Sequence, residues 1–188
     1  MREQDPRLSL IGRRSFLATG GAALALASAP RLAAGQAKRS GEITAGLSER
    51  MLTLDPANHY SISTTSVLRH LFDPLIDVTN DSKFVPALAE TWRPVNATTW
   101  RFTLRKGVTF HDGTPFNADS VVFTLKRVRD NTKLIKSFVY QDLDGVEKDG
   151  DYGVVVTTKR PFGSLPSHLT MLGMLPPGAG KSELVVTA

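Results

Sequence analysis

The sequence has 188 residues, 41% of them hydrophobic and 22% charged, enough for one domain with its own core or for part of a larger protein. It contains no cysteine, which excludes disulfides, thiolate metal sites, a cysteine nucleophile and the lipid-bearing cysteine of a lipoprotein. The net charge of +5 is uneven: residues 1–37 carry five arginines against Glu3 and Asp5, leaving 18 basic and 16 acidic residues elsewhere, too even a balance to indicate a nucleic acid or an anionic membrane as partner.

Arg13-Arg14-Ser15-Phe16-Leu17 is a twin-arginine pattern, and Leu17 to Ala29 is an uncharged run rich in Ala and Leu. A bilayer-spanning helix needs about 20 residues, so this run is too short and reads as an export signal rather than an anchor. The competing reading is a short buried or membrane-associated helix. Small residues allow cleavage after Gly35 or Ala37, whereas Pro30 disfavours it after Ala29. Given a bacterial source, an unlipidated, periplasmic mature protein is expected.

Glu42 to Leu47 is expected to form a short strand, followed by a loop from Ser48 that Asp55-Pro56 closes. Ser61 to Phe72 predicts a helix with Ile62, Val67, Leu68 and Leu71 on its apolar side, stopped by Pro74. The polar cluster Thr79-Asn80-Asp81-Ser82 between Ile76/Val78 and Phe84/Val85 predicts a hairpin. Pro86 to Glu90 reads as a single helical turn, and Pro94 to Ala97 as the approach to a central strand.

From Trp100 to Leu104 the side chains alternate, with Trp100, Phe102 and Leu104 on one face and Arg101, Thr103 and Arg105 on the other. Lys106-Gly107 and Asp112-Gly113 are turn signals. After Pro115 the period becomes helical. Asn117 is placed to cap the first turn, Asp119 to oppose the helix dipole, and Val121, Val122, Leu125 and Val128 to form an apolar face. Lys126, Arg127 and Arg129 are expected to turn away from it. Together with Lys133 and Lys136 they read as a solvated face, since no aromatic stripe accompanies them as in a nucleic-acid patch.

Asn131-Thr132-Lys133 breaks that helix, and Val139 to Val146 reads as a linker or short strand. Asp149-Gly150 turns the chain into a β-branched strand, Tyr152 to Thr157, closed by Pro161. Leu165, Leu169 and Leu172 then predict a helix from Ser164 to Met171.

Four ordered segments resemble one family. They are Thr53-Leu54-Asp55-Pro56, Leu71 to Ile76, Val85 to Trp92, and Leu104 to Phe116 with Ala118-Asp119 and Val121-Val122-Phe123. The sequence is similar over about Gly41 to Pro177 to the family 5 extracellular solute-binding proteins, which serve peptide-, dipeptide- and nickel-type ABC importers. Ser120 stands where that family often has an acidic residue. The resemblance implies an α/β (α+β) fold of the periplasmic-binding-protein-like class II kind, incomplete here: the first strand of lobe I and a small accessory mixed sheet-and-helix domain, without the second lobe. The implied boundaries are a signal at 1–37, the lobe I strand and loop at 38–55, the accessory domain at 56–177 and a non-family tail at 178–188. The family's loop after the first strand approaches the ligand cleft, so Glu49, Arg50, Met51, Leu52 and Thr53 are the candidate ligand-binding residues, against the alternative of a solvated turn.

The function implied is capture of a peptide or similar small solute for an inner-membrane ABC permease, by a monomer with no cofactor and no nucleic acid partner. A truncated gene, a frameshift or an incomplete gene prediction is expected to account for the unfamiliar tail, with a genuine short protein as the lesser alternative, and impaired binding to follow. Enzymatic readings find little support. His59, His70, His111 and His168 lack metal spacing, and His111 reads as a surface turn residue. There is no Gly-x-Ser-x-Gly elbow, and Gly180-Lys181-Ser182 lacks the earlier glycine of a phosphate loop, with Leu at 175. A secreted interaction domain without transport function is the main alternative, a secreted hydrolase the lesser one.

Overall fold

The structure is a computed structural model and describes residues 46–179. Within them, a four-stranded antiparallel sheet carries one long helix. Helix α1 spans Ile62–Leu68 and strands β1 and β2 span Ile76–Val78 and Phe84–Pro86. Strands β3 (Ala89–Asn96) and β4 (Thr99–Leu104) lead to α2 (Ala118–Asp130) and a 3-10 helix (Ile135–Val139). Strands β5 (Leu143–Lys148) and β6 (Gly153–Thr158) follow, then α3 (Leu165–Leu169). The sheet order is β3-β4-β6-β5, and β1 pairs with β2 apart from it.

Alternation sets the core. Phe102 lies opposite Val154, and Trp100 opposite Val156. Phe102, Leu104, Val154 and Val156 are fully buried while Trp100 packs partly covered against them. Helix α2 covers this sheet through β5 and β6, adding buried Val121, Leu125 and Val128. Asn117 caps it as expected, its side chain accepting from the Asp119 N–H at 2.9 Å. The two predicted glycine turns are real, with φ of +72° at Gly107 and +84° at Gly113. The β1–β2 hairpin and the turn at Asp149-Gly150 also match expectation; Leu165, Leu169 and Leu172 are buried, but the helix expected over Ser164 to Met171 ends at Leu169 and Leu172 lies beyond it.

Several expectations fail. Pro86 to Glu90 is not helical: Pro86 ends β2, and Ala89 starts β3 with its N–H donating to Leu75 O. Pro94 to Asn96 leads by a tight turn to β4 as expected, but is itself the end of strand β3. A proline survives there because β3 is an edge strand. Helix α1 stops at Leu68, and of its expected apolar side Leu68 is buried while Ile62 (84%) and Leu71 (42%) are exposed; Thr64 joins Leu68 on the inward face. Val139 to Val146 divides between the end of the 3-10 helix and the start of β5. Of the strand expected at Glu42 to Leu47, Gly46 and Leu47 are irregular and the rest lies outside the described residues, as do Arg13, Arg14 and Gly180-Lys181-Ser182.

Candidate functional site

The loop that leads into α1 is fastened from both ends. At its start, Ser48 Oγ lies 2.9 Å from Ser63 Oγ, and the Glu49 carboxylate accepts from Ser61 Oγ. Ser61 is also the N-cap of α1, accepting from the Thr64 N–H at 3.1 Å. At its end, Thr53 Oγ1 accepts from the Asp55 N–H, and Asp55 Oδ1 accepts from the Ala57 N–H at 2.9 Å. Asp55 then forms a two-armed ion pair with Arg127 of α2. With side chains only 16% and 9% exposed, this pair is shielded and geometrically specific.

Lys136, on the 3-10 helix, completes the fastening. Its Nζ donates to Pro56 O and to Met171 O, each at 2.7 Å, and lies 3.2 Å from His59 Nε2. Its backbone N–H donates to Ala57 O at 3.0 Å. Burial lowers the Lys136 pKa to about 8, partly opposed by the negative charge of Asp55. Burial, then the Lys136 charge, also lowers the pKa of His59.

The five candidate ligand residues therefore lie along one braced loop. Glu49, Arg50 and Leu52 are exposed, and Met51 and Thr53 half-buried. The structure brings Glu49 to Ser61 and Thr53 to Asp55; it places none of the five in the apolar cavity described next.

Two expectations are corrected here. Arg127 does not belong to a solvated face, since Asp55 draws it inward. Lys136 is buried, and Arg129 is half-buried, donating to Asp144 O at 2.6 Å and pairing with Asp130. Among those cations, Lys126 and Lys133 are exposed as expected. Asp55, His59, Arg127 and Lys136 were thus missed as a set. The available signal was Asp55-Pro56, where an aspartate can turn the backbone on itself and so needs a partner for its charge.

On another side, a cavity of about 280 Å³ opens between Phe72, Val108, Phe110, Phe116, Met174 and Leu175. Phe110 and Phe116 meet edge to face at its wall, 6.1 Å between centroids. His111 and Asp112 stand at its rim on an exposed turn, matching the surface reading of His111. Hydrogen bonds from Thr114 hold the Asp112 carboxyl below its usual pKa. Such a lining can take an apolar group. It offers no nucleophile and base held together by a third group. Among the described residues, no cluster of three or more His, Asp or Glu is arranged to hold a metal ion.

Comparison with known proteins adds to this geometry. The family model described as bacterial extracellular solute-binding proteins, family 5 Middle, matches residues 83–184. The probable peptide ABC transporter periplasmic-binding protein y4tO of Sinorhizobium fredii is 30% identical over 169 residues, covering 87% of this chain and 31% of its own length. The periplasmic murein peptide-binding protein MppA of Escherichia coli is 29% identical over 105 residues, covering 56% and 20%. The oligopeptide-binding protein AppA of Bacillus subtilis, solved with a nonapeptide, matches with a TM-score of 0.64 at 27% identity, over 70% of this chain and 26% of that one. The chain spans under a third of the length of these relatives.

Proposed function

Because this chain belongs to the family 5 bacterial extracellular solute-binding proteins, we propose that it is the substrate-binding component of an ABC importer for peptides or similar small solutes. Its α+β fold is part of the class II periplasmic-binding-protein-like architecture. Relatives are named for binding oligopeptide, murein peptide and glutathione, which supports a peptide-like solute here. The residues proposed to meet it are Glu49, Arg50, Met51, Leu52 and Thr53. The observation that carries this is the bracing of their loop by the shielded Asp55–Arg127 pair and by Lys136, which holds an exposed segment in one place before a ligand arrives.

The proposal extends to the rest of the sequence. Residues 1–37 are a twin-arginine export signal, 38–55 belong to the first lobe and 56–177 to an accessory domain; the family match runs on to residue 184, into the tail expected to stand apart at 178–188. The mature protein is a periplasmic monomer, not an enzyme, that delivers solute to an inner-membrane permease. Binding works by closure of two lobes around the ligand. A polypeptide of these 188 residues offers one wall, which cannot desolvate a ligand by itself. Calorimetry of the chain from residue 38 onward with a peptide library is expected to show binding weaker than micromolar. Micromolar binding by the monomer would refute the single-wall reading.

A second reading, an exported interaction domain, draws on the stacked pair Tyr60–Phe138, with centroids 5.5 Å apart and both rings about half exposed.

A further inference from the structure

The segment from Asp55 to His59 has no ladder to satisfy its backbone. Asp55 O is taken by the Asn58 N–H at 3.1 Å, but Pro56 O and Ala57 O are both taken by Lys136, through Nζ and through the main-chain N–H. The same ammonium also reaches Met171 O, two residues beyond α3. It thus joins three stretches of chain that are far apart in sequence. An ammonium has donors only, so the third contact requires His59 Nε2 to accept, which leaves His59 neutral with its proton on Nδ1.

Lys136 is 4% exposed, and among the described residues no carboxylate forms an ion pair with it. The charge of Asp55 on the leading loop acts on it, but Arg127 on α2 occupies both carboxylate oxygens. Arg69, just past α1, lines the same small cavity as Lys136 and His59 and is paired with Asp77. The ammonium is therefore held by dipoles rather than by a counter-ion, a costly arrangement to keep for packing alone.

We infer that Lys136 is a positioning residue: its buried ammonium latches Pro56 and His59 to the exit of α3 and so sets where the 49–53 loop stands. The significance of that loop rests on the solute-binding reading above; the latch itself does not. Its protonation leaves a signature. An ammonium whose pKa is lowered to about 8 in the fold and recovers 10.5 on unfolding makes the unfolded state bind more protons above pH 8. Stability then rises with pH, and the unfolding equilibrium constant falls about tenfold between pH 7 and 9.

The test uses the chain from residue 38 onward, with no solute present, so it is independent of whether solute binds. In Lys136→Met, the Ala57, Asn58 and Lys136-position amides are expected to exchange with solvent at least about tenfold faster at pH 7, while Phe102 and Val154 amides in the sheet keep their rates. The pH 7-to-9 gain in urea resistance should vanish. Lys136→Arg keeps the charge and the donors but does not titrate, so it should restore protection without restoring the gain. Unchanged exchange at Ala57 and Asn58 in Lys136→Met, or equal acceleration throughout the sheet, would overturn the latch. If Lys136→Met does not fold, Lys136→Arg decides: wild-type protection without the pH gain supports the latch, and a retained gain or lost protection overturns it.

Discussion

Asp55 decides how the leading loop meets the helix. Its carboxylate takes one backbone N–H and both arms of Arg127, so removing Arg127 strands a nearly buried charge. Arg127→Met is expected to cost roughly 3 kcal/mol in urea unfolding at pH 7. His59 answers to pH in the opposite range from Lys136. Its pKa is lowered in the fold, so on acidification below 6.5 the unfolded chain takes up the proton first. Stability should fall as pH drops from 7 to 5, and this slope should flatten in His59→Gln, measured by urea midpoints. Neither residue was legible, and the reason lies in α2. Ser120, Thr124 and Arg127 fall at i, i+4 and i+7 and make a second inward face. Ser120 and Thr124 are buried, and Thr124 Oγ1 accepts from the Leu175 N–H at 3.0 Å. Hydropathy marks the valine face and is blind to one made of hydroxyls and a guanidinium.

The elements that could be read from sequence are those whose periodicity and end signals agree. Strand β4 alternates, α2 carries both an apolar stripe and an Asn cap, and glycines sit where φ is positive. Phe102 is fully buried at the centre of the sheet, so Phe102→Ala should cost about 3–5 kcal/mol. Asn117→Ala should cost about 1 kcal/mol by freeing the Asp119 N–H; both are read from urea unfolding. Where signals conflict, reading fails. Pro94 reads as the approach to a strand, yet the sheet edge tolerates it inside one, and Ile62 reads as part of an apolar side of α1 of which Leu68 is buried and Ile62 itself is exposed. Gly173 gave no sequence signal at all. A Cβ there would lie 2.4 Å from Phe72 Cβ, where Pro74 and Gly173 bridge the two chain segments.

At the scale of the whole molecule, the sheet and its helix share one apolar interior, and the family follows from that and from the matched residues. The loop proposed to meet solute was legible only through resemblance, because nothing in its composition distinguishes Glu49 to Thr53 from an ordinary turn. What the fold adds is the machinery behind the loop, from Asp55 to Lys136. Export through the twin-arginine route should fail when Arg13 and Arg14 are both replaced by lysine, with the precursor retained in the cytoplasm on fractionation. The most direct measurement is amide chemical-shift mapping of the chain from residue 38 onward, titrated to millimolar concentration with mixed short peptides. Shifts centred on Glu49 to Thr53 are the predicted result. Shifts confined to the Val108–Phe116 and Met174 cavity, with the loop unmoved, would contradict it.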